Sequence, residues 1–298
     1  MNNPKILTTL FLTAGLLTAC SSDDEQTTVQ EVRHISVEVS QRPMTTDDPA
    51  TARTTDTRSD ITTTETLSAF SMRGIYSSTT SEYGVSKSYD NWTVTPDTWP
   101  GSTDNDDITP FYAFTEGTFY ANSGNPYVSF TIAENASTQH DLLVAKNNVA
   151  YSDHAGKVPL TFDHACAALA FNVYMSNTLS TNLSGKTLTV SSIKLCNVSN
   201  TGRYYFKTSA WSDVSGSAYY TLNNSDITIT TTPQALSSNH LFVIPQERAA
   251  NGTTGTYLEI TYAFTGQTLT KANIPLAVDW QAGNQYTINI KLGTTLIR

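Results

Sequence analysis

The chain has 298 residues, with 17 Lys and Arg against 26 Asp and Glu, so its formal net charge is −9. An acidic chain lacks the basic face that phosphate neutralisation requires, so nucleic acid is excluded as the expected partner. Only 14% of the residues are charged, against about 25% in an average globular protein. Hydrophobic residues make up 39%, which is enough for a folded core.

The first 20 residues have the pattern of an export signal. Lys5 precedes an apolar stretch over residues 6–17, which is too short to cross a hydrocarbon core of about 30 Å. The end of this stretch, Leu-Thr-Ala-Cys at residues 17–20, resembles the lipobox of bacterial lipoproteins. That resemblance implies a covalent lipid on Cys20, which becomes the first residue of the mature chain. The alternative is an ordinary signal peptide followed by a chance cysteine.

Residues 21–58 are predicted to form a tether, a first strand and a linker. The acidic tract at residues 21–25 resembles a surface-export signal of Bacteroidota lipoproteins, and a solvated linker is the alternative. Period-two alternation predicts a strand over residues 31–41, with Ile35, Val37 and Val39 facing the core.

A polar stretch at residues 45–66 follows that strand and is predicted to be an exposed loop or linker. It contains Arg53 and Arg58, and exposed polar linkers are the preferred sites of proteolytic cleavage. No later segment approaches 18 consecutive apolar residues, so a lipid on Cys20 is the expected membrane anchor.

The rest of the chain alternates apolar and polar residues in short runs separated by turn residues, which predicts an all-β fold. In the run at residues 188–195 the alternation changes phase across Ser191 and Ser192, where a bulge would restore one apolar face. A change of composition at residues 151–157 predicts an interdomain connection. It divides the body into an N-terminal domain over residues 59–153 and a C-terminal domain over residues 154–298.

No residue pattern predicts an enzyme, a metal site or a cofactor. The five histidines show no metal-ligand spacing, and His164 is interpreted as a hydrogen-bonded sheet histidine. Asp104, Asp106 and Asp107 lack the glycine and distal glutamate of a calcium loop. Apart from Cys20 the chain has Cys166 and Cys196, which either form one disulfide or are buried free thiols.

Several short motifs together resemble one family. The run VPLTFDHA at residues 158–165, continuing into ALAFNV at 168–173, resembles a signature of Bacteroidota fimbrillins. Further matching motifs lie at residues 61–70, 99–100, 111–114, 141–145, 241–246 and 280–286. In this order, and after a lipobox, they are similar to the fimbrillin, or type V pilin-like, family.

The resemblance implies two tandem transthyretin-like antiparallel β-sandwich domains, lipoprotein export to the outer membrane, and assembly into fimbriae with other pilin subunits. In such pilins an Arg- or Lys-specific protease removes the lipidated N-terminus with its first strand, and a neighbouring subunit donates a replacement. On this chain, residues 31–41 would be the removable strand. Arg53 or Arg58 would be the cleavage point, and Arg58 is preferred because a retained strand is predicted at Ile61.

Two roles in this family are expected. After the strand predicted at residues 286–292, only residues 294–297 would be left to donate. These are fewer than the roughly five or six residues of a full strand, which favours a tip or accessory subunit over a stalk subunit. The alternative is an anchor or unpolymerised surface lipoprotein that binds glycan or host protein through exposed aromatics such as Trp92, Trp99 and Trp211.

Overall fold

The computed structural model describes residues 33–46, 66–101 and 104–294. Cys20, Arg53, Arg58 and the predicted strand start at Ile61 lie outside these residues. The first described strand after the linker begins at Ala69.

More than half of the described residues lie in strands. Strands β1 to β12 are Ser36–Gln41, Thr45–Thr46, Ala69–Tyr76, Thr79–Ser88, Asn91–Thr95, Ile108–Phe114, Thr118–Tyr120, Tyr127–Thr131, Leu143–Ala150, Lys157–His164, Ala167–Met175 and Leu188–Val198. Strands β13 to β23 are Thr201–Tyr205, Ala210–Ser215, Ala218–Asn223, Ile227–Thr228, Gln234–Ala235, Leu241–Val243, Gln246–Arg248, Tyr257–Phe264, Thr270–Pro275, Val278–Trp280 and Asn284–Leu292. The helical elements among the described residues are a 3-10 turn, Ala136–Thr138, and two short α-helices, α1 (Tyr151–His154) and α2 (Asn177–Asn182). The prediction of an all-β fold is therefore confirmed.

The largest sheet has seven strands in the order β1-β10-β9-β6-β3-β4-β5. Its pairs are antiparallel except for the first, because β1 runs parallel to β10. β1 comes from the N-terminal end of the described chain and forms the edge of this sheet. The sheet therefore uses a sequence-distant strand to cover β10.

The remaining strands form four smaller sheets. Their orders are β17-β11-β23-β2 with β18 also beside β11, β15-β12-β20-β21 with β16 also beside β12, β14-β13-β8-β7, and β19-β22. Antiparallel pairing dominates, and the parallel pairs among the described strands are β1–β10, β11–β23 and β2–β23.

The buried apolar side chains form two clusters. The smaller cluster lies on the seven-stranded sheet and includes Met72, Phe111 and Phe162. The larger cluster is built mainly from the other sheets and includes Leu169 and Phe242, together with Phe114 and Val144 from the seven-stranded sheet.

Strand pairs join residues on the two sides of residue 153, the predicted domain boundary. Helix α1 and the residues up to 157, predicted as an interdomain connection, join β9 to β10, which are neighbours in one sheet. In addition, β8, which precedes this boundary, pairs with β13, which follows it. The tandem arrangement with domains at 59–153 and 154–298 stays a prediction.

Candidate functional site: the groove filled by the N-terminal segment

The N-terminal segment, defined here as residues 33–46, lies along the edge of the seven-stranded sheet. β1 pairs with β10 from Ser36 opposite Lys157 to Gln41 opposite Phe162. The amide of Arg42 continues this ladder by donating to the carbonyl oxygen of Phe162 at 2.9 Å. We call the surface that holds this segment the groove, and β10 forms its main wall.

The start of the segment bonds to the opposite end of the same sheet. The amide of Ile35 donates to the carbonyl oxygen of Asp97 at 2.8 Å, and the amide of Trp99 donates to the carbonyl oxygen of Arg33 at 2.8 Å. Residues 97–99 follow β5, which is the last strand in the sheet order. The N-terminal segment therefore closes the seven-stranded sheet on itself.

The end of the segment bonds to a second sheet. The amide of Thr45 donates to the carbonyl oxygen of Gly283 at 2.8 Å, and β2 runs parallel to the first residues of β23. Met44, just before β2, is 9% exposed and belongs to the larger core cluster. The segment thus contributes to both clusters.

A glycine allows the segment to approach closely at its start. Gly156 has φ +80°, and a Cβ atom on it would lie 2.3 Å from the carbonyl oxygen of His34 and 2.8 Å from the ring of Tyr151. The carbonyl oxygen of Gly156 accepts a hydrogen bond from the amide of Ser36 at 3.0 Å. A side chain at residue 156 would collide with the segment.

The inner face of the N-terminal segment is apolar at residues 35, 37 and 39. Ile35 is 4% exposed and Val37 is 9% exposed, whereas Val39 is half-buried and packs against the same cluster. The facing side chains of β10 are at most 1% exposed, and they are Val158, Leu160 and Phe162. Without the N-terminal segment these three side chains would lose their cover.

Gln41 continues the inner row with a polar side chain. Its Nε2 lies 2.9 Å from Nε2 of His164, whose Nδ1 contacts Oδ2 of Asp141. His164 and Asp141 are 5% and 3% exposed. The side-chain amide of Gln41 donates to Nε2 of His164. The proton of the neutral ring is then on Nδ1, where it can be donated to Asp141. The interpretation of His164 as a hydrogen-bonded sheet histidine is confirmed.

Cys166 lies two residues after His164 and is fully buried. Burial raises the pKa of its thiol strongly, and the charge of Asp141 raises this pKa further. Burial also raises the pKa of Cys196, and both cysteines are free thiols. Of the two alternatives for this pair, the structure has the buried free thiols.

The outer face of the segment carries polar contacts. Ser40 and Thr161 bring their hydroxyl oxygens to 2.9 Å, and Arg42 contacts Asp163 at 2.5 Å. Arg42 and Asp163 are well exposed, so solvent screens their attraction and its contribution to stability is small. The backbone ladder and the inner row therefore dominate the hold on the segment.

The residues predicted to be lipidated or cleaved lie outside the described part of the chain. Cys20, Arg53 and Arg58 lie outside the described residues, but the sequence places both arginines between Thr46, the last residue of β2, and Thr66. Any cut between those residues would separate the N-terminal segment covalently from β3 and the rest of the chain. Ile35, Val37 and Val39 occupy the groove as described above.

The expectation that three tryptophans form exposed binding platforms is wrong. Trp99 is 7% exposed and its ring packs 5.1 Å from that of Phe111. Trp92 is half-buried against Phe70, and half-buried Trp211 donates from Nε1 to the carbonyl oxygen of Ala165 at 2.6 Å. The amphipathic indoles serve packing, which composition alone could not distinguish from ligand binding.

A polar cleft with an exposed tyrosine lies elsewhere on the molecule. Tyr219, on β15, is 53% exposed. The cleft has a volume of about 520 Å³ and is lined by Glu134, Asn135, Ala136, Ser137, Tyr219, Thr221, Ser237 and Asn239. An aromatic ring among carboxylate, amide and hydroxyl groups offers both a stacking surface and hydrogen bonds.

Across residues 33–46, 66–101 and 104–294, no three His, Cys, Asp or Glu side chains are arranged to hold a metal ion. The helices of this part of the chain are too short or too polar to cross a membrane.

Solved structures resemble this chain at the level of the fold. A fimbrial protein from Bacteroides vulgatus aligns with a TM-score of 0.57 and 18% identity, over 87% of this chain and 95% of that chain. A candidate cell adhesion protein from Parabacteroides distasonis aligns with a TM-score of 0.58 and 9% identity, over 89% of each chain. No curated protein matches the sequence.

The chain thus has the same fold as these two bacterial proteins, one of which is a fimbrial protein. The family described as fimbrillin-like matches residues 44–298, and the chain belongs to it. The match begins at Met44, so it covers strands β2 to β23 and leaves β1 outside.

Proposed function

We propose that the protein is a non-enzymatic, pilin-like surface subunit that assembles by exchanging its N-terminal segment for a strand of another subunit. The single observation that supports this most directly is the placement of the segment. It fills a groove through an edge strand, and its connection to the body runs through a polar stretch containing Arg53 and Arg58.

The physical basis is strand addition at an open edge. Removal of the segment would leave the backbone groups of β10 unpaired and would uncover Val158, Leu160 and Phe162. An exposed apolar edge strand is a site for pairing with another chain. A donated strand would restore the backbone ladder and bury its own apolar side chains, each contributing about 1.5–3 kcal/mol when fully buried.

The proposed precursor is a lipoprotein. Cys20 carries the lipid that anchors the chain in the outer membrane, and cleavage at Arg58, or alternatively at Arg53, frees the mature subunit for the fimbrium. The mass of the N-terminal peptide recovered from cells tests the lipid. A tip or accessory position stays a prediction, which the assembly experiment below addresses.

The test uses the chain from Ser21 onward, treated briefly with an Arg-specific protease. We expect one principal cut, after Arg58 or Arg53, and then either oligomers or uptake of an added peptide with the sequence of residues 31–46. Intact mass and size-exclusion chromatography measure both steps. A cleaved monomer that takes up the peptide but does not oligomerise indicates a tip or accessory subunit.

The control is a pair of variants. The double variant Arg53→Ala, Arg58→Ala should resist the cut, whereas Arg203→Ala, which changes an exposed arginine on β13, should be cleaved like the unaltered chain. Equal cleavage of the double variant, or a cleaved chain that neither oligomerises nor takes up the peptide, contradicts strand exchange.

The cleft around Tyr219 favours a second candidate function, saccharide binding at the cell surface. Sugar rings stack on aromatic side chains and bond to amide, hydroxyl and carboxylate groups, all of which line this cleft. In a glycan-array or titration experiment, Tyr219→Ala should lower affinity about tenfold or more, in line with one stacking contact. Tyr89→Ala is the matched control because Tyr89 is 95% exposed and does not line the cleft. Equal affinity of both variants, or no binding at all, contradicts this candidate.

A further inference from the structure

The inner row of β1 ends in an amide that is directed at a buried histidine. Alternate residues of a strand lie on one face, so Gln41 follows Ile35, Val37 and Val39 along the inner row. The first three positions meet an apolar cluster. At the fourth, Nε2 of Gln41 lies 2.9 Å from Nε2 of His164.

The histidine is held independently of the segment. Its Nδ1 contacts Asp141, and the backbone around both residues is tied together, because the amide of Ala165 donates to the carbonyl oxygen of Leu142 at 2.9 Å. Thr115 adds a bond from its hydroxyl to the carbonyl oxygen of Asp141. All these contacts belong to the body of the protein. The Nε2 atom therefore keeps its position whichever strand occupies the groove.

An apolar row alone does not define a unique register. A shift by one residue turns the row outward, but a shift by two keeps the same face inward. Such a shift would bring Val39 or Pro43 to His164 in place of Gln41. Neither side chain can donate a hydrogen bond to Nε2. A buried acceptor without a partner weakens an association about tenfold to a hundredfold.

We propose that His164, positioned by Asp141, selects the sequence and register of the strand that enters the groove. This inference rests on the proposed strand exchange and specifies its partner. The partner strand carries three alternating apolar residues and, at the fourth alternating position, an amide side chain, Gln or Asn. It comes from another subunit that carries this pattern.

The test measures peptide uptake and register together. The chain from Ser21 onward with Thr161→Cys is cleaved, the protease is inhibited, and peptides of residues 31–46 carrying one cysteine at position 38, 40 or 42 are added. Ser40 lies opposite Thr161, so a peptide bound in the native register should form its disulfide mainly from position 40. Cys166 and Cys196 are buried, which keeps them out of the reaction.

The decisive comparison is between peptide variants, so the protein itself stays unchanged. We expect Gln41→Leu to lower peptide affinity about tenfold or more and to spread the disulfide over positions 38 and 42. Gln41→Asn should retain more of the affinity. Ser36→Leu is the matched control, because it adds the same apolar side chain on the exposed face of β1 and leaves the three cysteine positions free.

Two negative outcomes are distinguishable. If the peptide with the native sequence is not taken up, strand exchange is wrong and the inference falls with it. If the native and Gln41→Leu peptides bind equally and both cross-link from position 40 alone, strand exchange stands and the role assigned to His164 is overturned.

Discussion

Gly156 shows how one residue controls the docking of the whole N-terminal segment. Its left-handed backbone, φ +80°, is strained for residues with a Cβ atom, and the space that a Cβ atom would need is occupied by the carbonyl oxygen of His34. Gly185 has a similar φ of +86°, but nothing lies within 4 Å of its Cβ position. Substitutions at these two glycines therefore distinguish the cost of backbone strain from the cost of a collision.

Gly156→Ala should destabilise the protein more than Gly185→Ala does. The second variant carries only the left-handed strain, about 1–2 kcal/mol, whereas the first adds the collision with His34. Urea unfolding measures the difference, and hydrogen exchange at the Ser36 amide, which bonds to Gly156, locates it in the segment. Equal losses of stability in both variants would show that the segment moves aside at no cost.

Residue types predicted environments better than they predicted partners. The apolar surroundings of His164 indicated a hydrogen-bonded sheet histidine, but Asp141 and Gln41 are 23 and 123 residues away in sequence. Local patterns carry no information on such distant contacts. The tryptophans were misassigned for a related reason, since an indole has the same local pattern in a core as on a surface.

At the scale of the element, alternation was a sound guide wherever one face of a strand is buried. In β12 the phase change across Ser191 and Ser192 predicted a bulge, and the register with β20 shifts between Val190 and Ser192. Leu188, Val190, Ile193 and Leu195 are all fully buried as a result.

The side chains of the inner row should differ in how much each contributes to the stability of the protein. Ile35→Ala removes a side chain that is 4% exposed and should lower the free energy of unfolding by about 2 kcal/mol or more. Val39→Ala, at a half-buried position of the same strand, should cost less. Urea unfolding of both variants measures the gradient. An equal loss in the two variants would contradict the packing described here.

At the scale of the whole molecule, the arrangement of strands was beyond the sequence. The strand over residues 31–41 was predicted, but not that it lies parallel to β10, more than 100 residues later. Likewise β8 pairs with β13, outside its own predicted domain, as well as with β7 inside it. Strand pairing over such separations depends on packing between distant segments, whereas the sequence patterns report one segment at a time.

The parallel orientation of β1 and β10 has a consequence for any assembly built on this groove. A strand that replaces β1 with the same backbone bonds has to enter in the same direction. The donated strand and the groove that accepts it are also two different surfaces of a subunit. Contacts between unlike surfaces generate open chains with a head and a tail rather than closed symmetric pairs. The two ends of a fibre made this way would differ, because one would present an empty groove and the other a strand that is not yet donated.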